Sequence, residues 1–191
     1  MKHTIKQDIK NIFNETKDII KYFNGKKILL TGGNGFLGKY FIEIFSEYNK
    51  VLKKPINLIV VDKKINRNFE FDKKNVSFIK KDVSKKFIFK KKIHIIIHAA
   101  GIASPFYYRK KPIETLDVAI EGTKNCLELA KKNNAKLIFF SSSEIYGDPD
   151  SKNVPTKESY RGNVSSLGPR ACYDESKRLG ETLCYIYKNK F

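Results

Sequence analysis

The chain has 191 residues, 41% of them hydrophobic and 30% charged, which is enough for one domain with a core of its own. Its 38 Lys and Arg against 20 Asp and Glu give a formal net charge of +18. The excess is nearly all lysine, spread along the whole chain among Asn and Ile, rather than arginine clustered with aromatics. Nucleic-acid binding is therefore not the expected role, whereas attraction of anionic, phosphate-bearing ligands is. No apolar run approaches the ~20 residues that span a bilayer, so no membrane association is expected. The N-terminus lacks the apolar core and cleavage site of a secretory signal. Cys126, Cys172 and Cys184 show no metal-ligand spacing, and an odd count without a framework suggests a reducing, cytoplasmic setting. No metal is expected.

Residues 1–24 carry apolar positions at Ile5, Ile9, Ile12, Phe13, Ile19, Ile20 and Phe23. That spacing predicts an amphipathic helical extension, as one or two short helices ending at Gly25. Lys27–Thr31 reads as a buried strand, followed by a glycine loop and a helix over Phe36–Tyr48, with Phe36, Leu37, Phe41, Ile44 and Phe45 toward a sheet. Further strands are predicted at Ile56–Asp62, Val76–Lys80, Ile93–His98 and Lys136–Ser141. Helices are predicted over about 112–133, with Pro112 in the first turn, and 170–188. The intervening loop 147–169 is rich in Gly, Pro, Ser and Asn. Strands alternating with helices, each apolar on both faces, predict a doubly wound α/β parallel sheet of Rossmann type, with helices on both faces. The expected organisation is the extension 1–24 and one domain over 25–191.

Gly32-x-x-Gly35-x-x-Gly38 follows a strand and opens a helix, the context that dinucleotide binding requires. The first glycine permits the tight turn, the second lets the backbone approach a pyrophosphate, and the third lets helix and strand pack closely. The helix N-terminus offers free N–H groups to phosphates at its first residues, Phe36 and Leu37. Asp62 ends the second strand, 24 residues after Gly38. A carboxylate there accepts hydrogen bonds from ribose hydroxyls and repels a 2′-phosphate, which favours NAD; Lys63, Lys64 and Arg67 nearby pull the other way. Asp82 and Val83 follow the third strand, where they could meet the adenine or serve as plain loop residues.

Tyr173-Asp174-Glu175-Ser176-Lys177 puts a phenol and an ammonium four residues apart on one helix face. A lysine there favours the ionised phenol, which can act as a general base toward a sugar hydroxyl. The pair could equally be two exposed helix residues. Ser141-Ser142-Ser143-Glu144 after the fifth strand adds a hydroxyl able to bond the same substrate oxygen.

Together the glycine loop, the serine-rich strand end and Tyr173-x-x-x-Lys177 resemble the extended short-chain dehydrogenase/reductase family. Ser143-Glu144-Ile145-Tyr146-Gly147-Asp148-Pro149, the run Gly168–Arg178, His98-Ala99-Ala100 and Ala103-Ser104-Pro105 resemble UDP-glucuronate decarboxylases within it. The resemblance covers about 26–190. It implies Ser142, Glu144, Tyr173 and Lys177 as catalytic residues. For NAD it implies Gly32, Gly35, Phe36, Leu37, Gly38, Asp62, Asp82, Val83, Ala99 and Ala100, with Tyr173 and Lys177. For a nucleotide-sugar substrate it implies Ser104, Tyr108, Ser143 and Arg170. Related dehydratases carry an Asp directly before the Glu; here that position is Ser143, which argues against expelling water. Decarboxylation needs no such acid, because a ketone at C4 makes the sugar a β-keto acid. The remaining alternatives are a 4-epimerase or 4,6-dehydratase, or a non-catalytic NAD-binding fragment.

Two departures stand out. Ala119 occupies a position where the family has Asn. The family also continues beyond the equivalent of Phe191, so the expected domain is truncated relative to it, with the C-terminal substrate lobe largely absent. The family pairing of helices implies a homodimer through 112–133 and 170–188, where Leu127, Leu183 and Tyr187 are apolar positions beyond those that the sheet needs.

Overall fold

The computed structural model describes residues 2–65 and 71–191. Arg67 and the Ile5 side chain lie outside the described residues. Helices α1 (Lys2–Glu15) and α2 (Lys17–Ile20) open the chain, and a 3-10 turn at Lys21–Phe23 closes the extension. Gly25 then takes a left-handed φ of 70°. The domain proper runs β1 (Lys27–Thr31), α3 (Phe36–Asn49), β2 (Asn57–Asp62), β3 (Val76–Lys80), β4 (Ile95–His98), α4 (Pro105–Lys110), α5 (Pro112–Asn133), β5 (Lys136–Phe139) and α6 (Ala171–Lys190). Between β5 and α6 lie two 3-10 turns, Ser143–Tyr146 and Ser151–Asn153.

The five strands form one sheet in the order β3-β2-β1-β4-β5, with every neighbouring pair parallel. The chain winds outward in one direction from β1 to β3, then returns to the other side of β1 for β4. The crevice where the direction reverses lies beyond the C-terminal ends of β1 and β4, the place where such sheets bind ligands. Register puts Thr31 opposite both Val61 and His98, so three strand ends converge there.

Side chains alternate across the sheet and feed two cores. Ile28, Leu30, Leu58, Val60, Ile95 and Ile97 face α1 and α3. Leu29, Val61 and Ile96 face Val118, Cys126 and Leu129 of α5. At the end of α5, the buried Asn133 accepts from the Ile93 N–H at 3.0 Å and donates to Leu129 O at 2.9 Å, which fixes how the chain enters β4.

Four expectations are corrected. Phe36 and Leu37 do not face the sheet: Phe36 is 76% exposed and Leu37 is also exposed. They occupy the first turn of α3, past the end of β1, where no strand lies beneath them. The edge strands are not apolar-buried on both faces, since Ile79 of β3 and Ile138 of β5 are open to solvent. A short α4 forms where none was predicted. Finally, Leu127 is buried within the monomer, and Tyr187 donates its hydroxyl to Glu128 of α5. These positions are taken up by packing α5 against α6. The exposed apolar residues on those two helices are instead Ile113, Leu179, Tyr185 and Ile186.

Candidate active site

The loop from β1 to α3 is held tightly enough that each glycine has a reason. Gly32 has φ of 72°, and a Cβ on it would lie 2.6 Å from Ala100 N. A Cβ on Gly38 would lie 2.4 Å from Gly32 O. Gly35, the residue before α3, would meet only Gly32 O, at 3.1 Å. That leaves Gly35 as the place where the loop is open to an approaching group. Gly33, which sequence reasoning passed over, has the tightest requirement: its Cβ would fall 2.1 Å from Val60 Cγ1 of β2. A doublet of glycines ahead of a helix was the signal available for it.

Asp62 ends β2 beside this loop. Its Oδ2 accepts from Asn34 N–H at 2.9 Å and its Oδ1 from Lys64 N–H at 3.1 Å. The Asn34 side chain in turn donates to Lys64 O. A cleft of about 530 Å³ runs from the glycines past Asp62, Asp82 and Val83 to Ala99 and Ala100, with Tyr107 and Val118 also in its walls. Asp82 pairs with Lys63 at 3.0 Å and accepts from Ser84. Burial pushes the Asp82 carboxyl up, but Lys63 and Ser84 outweigh it and hold it below the usual carboxylate range. A larger hollow, about 750 Å³, lies instead between α1 and α3 and contains none of the motif residues.

On the other side of the crevice, α6 places Tyr173 and Lys177 one turn apart. The Lys177 ammonium donates to Phe140 O at 2.6 Å and lies 5.8 Å from the Tyr173 ring centre. Burial lowers the Lys177 pKa from 10.5 to about 8. Tyr173 stacks on Tyr108, with centroids 5.2 Å apart and planes 11° from parallel. Tyr108 is only 2% exposed, so its ring is spent on Tyr173 rather than presented to solvent. Beneath them, His98 Nδ1 and Thr31 Oγ1 share a 2.7 Å hydrogen bond, and Thr31 Oγ1 accepts from Ala100 N–H at 3.2 Å. Burial, reinforced by the Lys177 charge, pulls the His98 pKa down to about 3 and keeps the ring neutral.

Ser142 stands just before the 3-10 turn, where its Oγ accepts from Glu144 N–H at 3.3 Å. The Glu144 carboxylate receives the Arg170 guanidinium, which also approaches Asp174 at 3.5 Å. Ser142, Glu144 and Arg170 are thus brought together next to the Tyr173 helix. Ser143 is exposed at the head of the turn, and Ser104 is exposed ahead of α4.

Residues 28–191 match the NAD dependent epimerase/dehydratase family. The chain belongs to that family. Among curated relatives it is 36% identical over 189 residues to UDP-glucuronic acid decarboxylase 1 of Xenopus tropicalis, covering 95% of this chain and 42% of that protein. It is 40% identical over 167 residues to UDP-glucuronic acid decarboxylase 1 of Danio rerio, covering 85% and 38%. Among solved structures, an epimerase from Methanothermobacter thermautotrophicus superposes with a TM-score of 0.76 at 25% identity, over 93% of this chain and 52% of that one. A UDP-galactose 4-epimerase gives 0.69 at 25% identity, over 86% and 52%. The chain therefore spans about half or less of the length of the proteins it matches.

NAD is the cofactor of this family, and the residues here fit it. A Cβ at Gly32 or Gly38 would collide with the backbone of the cradle, Gly35 leaves room beside the start of α3, and the Asp62 carboxylate lines the same cleft. Among the described residues, no helix is long and apolar enough to cross a membrane.

Proposed function

We propose that this family member is the NAD-binding part of a nucleotide-sugar decarboxylase that converts UDP-glucuronate to UDP-xylose, or to its 4-keto form, by transient oxidation at C4. The observation that carries the reading is the Tyr173–Lys177 pair on α6, with Lys177 held by Phe140 O after β5 and Glu144 held by Arg170 at the start of the same helix. The naming of the curated relatives supports the choice of decarboxylation, as does Ser143 at the position before Glu144, which holds no acid to protonate a departing hydroxyl.

The Gly32–Gly38 backbone and the α3 N-terminus would hold the pyrophosphate, Asp62 the adenosine ribose, and the walls at Asp82 and Val83 the adenine. When bound, NAD supplies the acceptor for the C4 hydride and the donor for its return. The Tyr173 phenol oxygen takes the proton of the C4 hydroxyl, and Ser142 hydroxyl hydrogen-bonds the same oxygen. The Lys177 ammonium, held by Phe140 O, stabilises the phenolate form of Tyr173 that accepts this proton. With a ketone at C4, the C5 carboxylate is β to a carbonyl; it departs as carbon dioxide, and its electron pair enters the C4–C5 enolate. A proton then returns to C5, a step this reading assigns to Glu144. The same reading pairs two copies into a homodimer through the outer faces of α5 and α6.

Incubating the chain with NAD and UDP-glucuronate and weighing the product tests this. Release of carbon dioxide with a UDP-pentose supports it. Loss of water would make the protein a 4,6-dehydratase, an isomer of unchanged mass a 4-epimerase. Intact substrate beside bound NAD would leave a non-catalytic NAD-binding unit.

A further inference from the structure

Arg170 touches two carboxylates that differ in kind. Its Nη2 donates to Glu144, and its Nε lies 3.5 Å from Asp174 Oδ2. The Asp174 side chain is 13% exposed, and its Oδ1 is buried without a hydrogen-bond partner. The Glu144 side chain is 36% exposed and that of Arg170 46%. Taking Arg170 away from Asp174 would strand a largely buried carboxylate without its cation, which is costly. Letting go of Glu144 costs little, because a pair this open to solvent is weak. The guanidinium thus has one fixed partner and one exchangeable partner.

The exchange has a natural recipient. Arg170 precedes Tyr173 by one turn at the start of α6, where Tyr173 N–H donates to Arg170 O at 2.8 Å. Residues three apart on a helix lie on one face. A sugar whose C4 hydroxyl reaches Tyr173 carries the substituent of C5 three bonds from that oxygen. Arg170, Glu144 and Asp174 also line a hollow of about 400 Å³ with Asp148, Asn163 and Ser165. Every other charged side chain in that wall is an acid, so the guanidinium is its one cation among the described residues.

We propose that Arg170 is a two-position cation. Anchored on Asp174, it holds Glu144 while the site is empty, and it passes to the carboxylate of the incoming uronic acid, which frees Glu144 beside C5. Asp174 is the positioning residue of this device. The proposal rests on the decarboxylase reading, and it gives that reading a substrate-triggered step: only a sugar bearing an anion unlocks Glu144.

Calorimetric titration of the 191-residue chain, without NAD so that no turnover intervenes, tests it with UDP-glucuronate against neutral UDP-glucose. Glu144 competes for Arg170, so Glu144→Gln raises the fraction of free guanidinium and tightens UDP-glucuronate about three- to fivefold, leaving UDP-glucose unchanged. Asp174→Asn and Arg170→Gln weaken UDP-glucuronate alone, and Asp174→Glu restores the preference. Circular dichroism reports the fold of each variant; if Asp174→Asn does not fold, Arg170→Gln and Glu144→Gln carry the test. UDP-glucuronate weakened by Glu144→Gln, or a preference that survives Arg170→Gln, overturns the exchange while the decarboxylase reading stands. A chain that binds neither nucleotide sugar overturns the exchange and leaves the decarboxylase reading to the product test.

Discussion

Lys177 shows how a functional side chain can work against the fold that holds it. It is buried with one hydrogen bond, to Phe140 O, and its pKa falls from 10.5 to about 8 because the charged form is poorly solvated. Below pH 8 the folded chain carries that cost, on the order of 3 kcal/mol for a shift of this size. Between pH 8 and 10.5 the unfolded chain binds the proton and the folded chain does not, so stability rises with pH across that window. Lys177→Met is therefore expected to stabilise the protein by ~1–2 kcal/mol at pH 7, after loss of the hydrogen bond, while abolishing turnover. Thermal unfolding of both proteins from pH 7 to 10.5 checks this: the advantage of the variant shrinks as pH climbs. Wild type should also lose activity above pH 8, as the ammonium beside Tyr173 disappears.

At the scale of elements, the N-terminal extension is more than an appendage. Ile9 and Ile20 are buried in the core with α3, and Phe23 packs on Phe45 and Tyr48 at 5.4 and 5.9 Å between ring centres. Two hydrogen bonds stitch the same contact, Tyr40 to Asp8 at 2.8 Å and Tyr48 to Thr16 at 2.6 Å. The extension braces the outer side of the helix whose first turn faces the cofactor cleft. Ile20→Ala should cost about 2–3 kcal/mol by opening a cavity there, measured by urea unfolding; a change within error would mean that the extension is merely laid on the surface. Element types and their order were legible because each strand–helix alternation left a periodic apolar signature. Edge strands and first turns were not, because whether Ile138 or Phe36 is covered depends on neighbours that local periodicity does not encode. The same holds for the site. Tyr173 and Lys177 announce themselves by spacing, whereas the pairing of Thr31 with His98, and of Glu144 with Arg170, joins residues 67 and 26 positions apart.

For the whole molecule, the α5–α6 layer is the outermost on its side of the sheet. Its exposed Ile113, Leu179, Tyr185 and Ile186 offer apolar surface that the monomer does not use. Sedimentation velocity at micromolar concentration should show a dimer, and Tyr185→Lys with Ile186→Lys should return it to monomer without loss of NAD binding. A monomeric wild type would remove the dimer from the proposal. The charge of +18 adds repulsion between copies, so association is expected to strengthen with moderate salt.

Asp62 has a consequence for anyone wishing to change the cofactor. Its carboxylate fastens the glycine loop to β2 through Asn34 N–H, and the proposed function also gives it the adenosine ribose. On that reading, the residue that chooses the cofactor is also the rivet of the cradle. Replacing it with a small neutral side chain to admit a 2′-phosphate would slacken the loop that grips the pyrophosphate. Converting this scaffold to NADP therefore takes two changes at once: one to welcome the extra phosphate, the other to supply a new acceptor for Asn34.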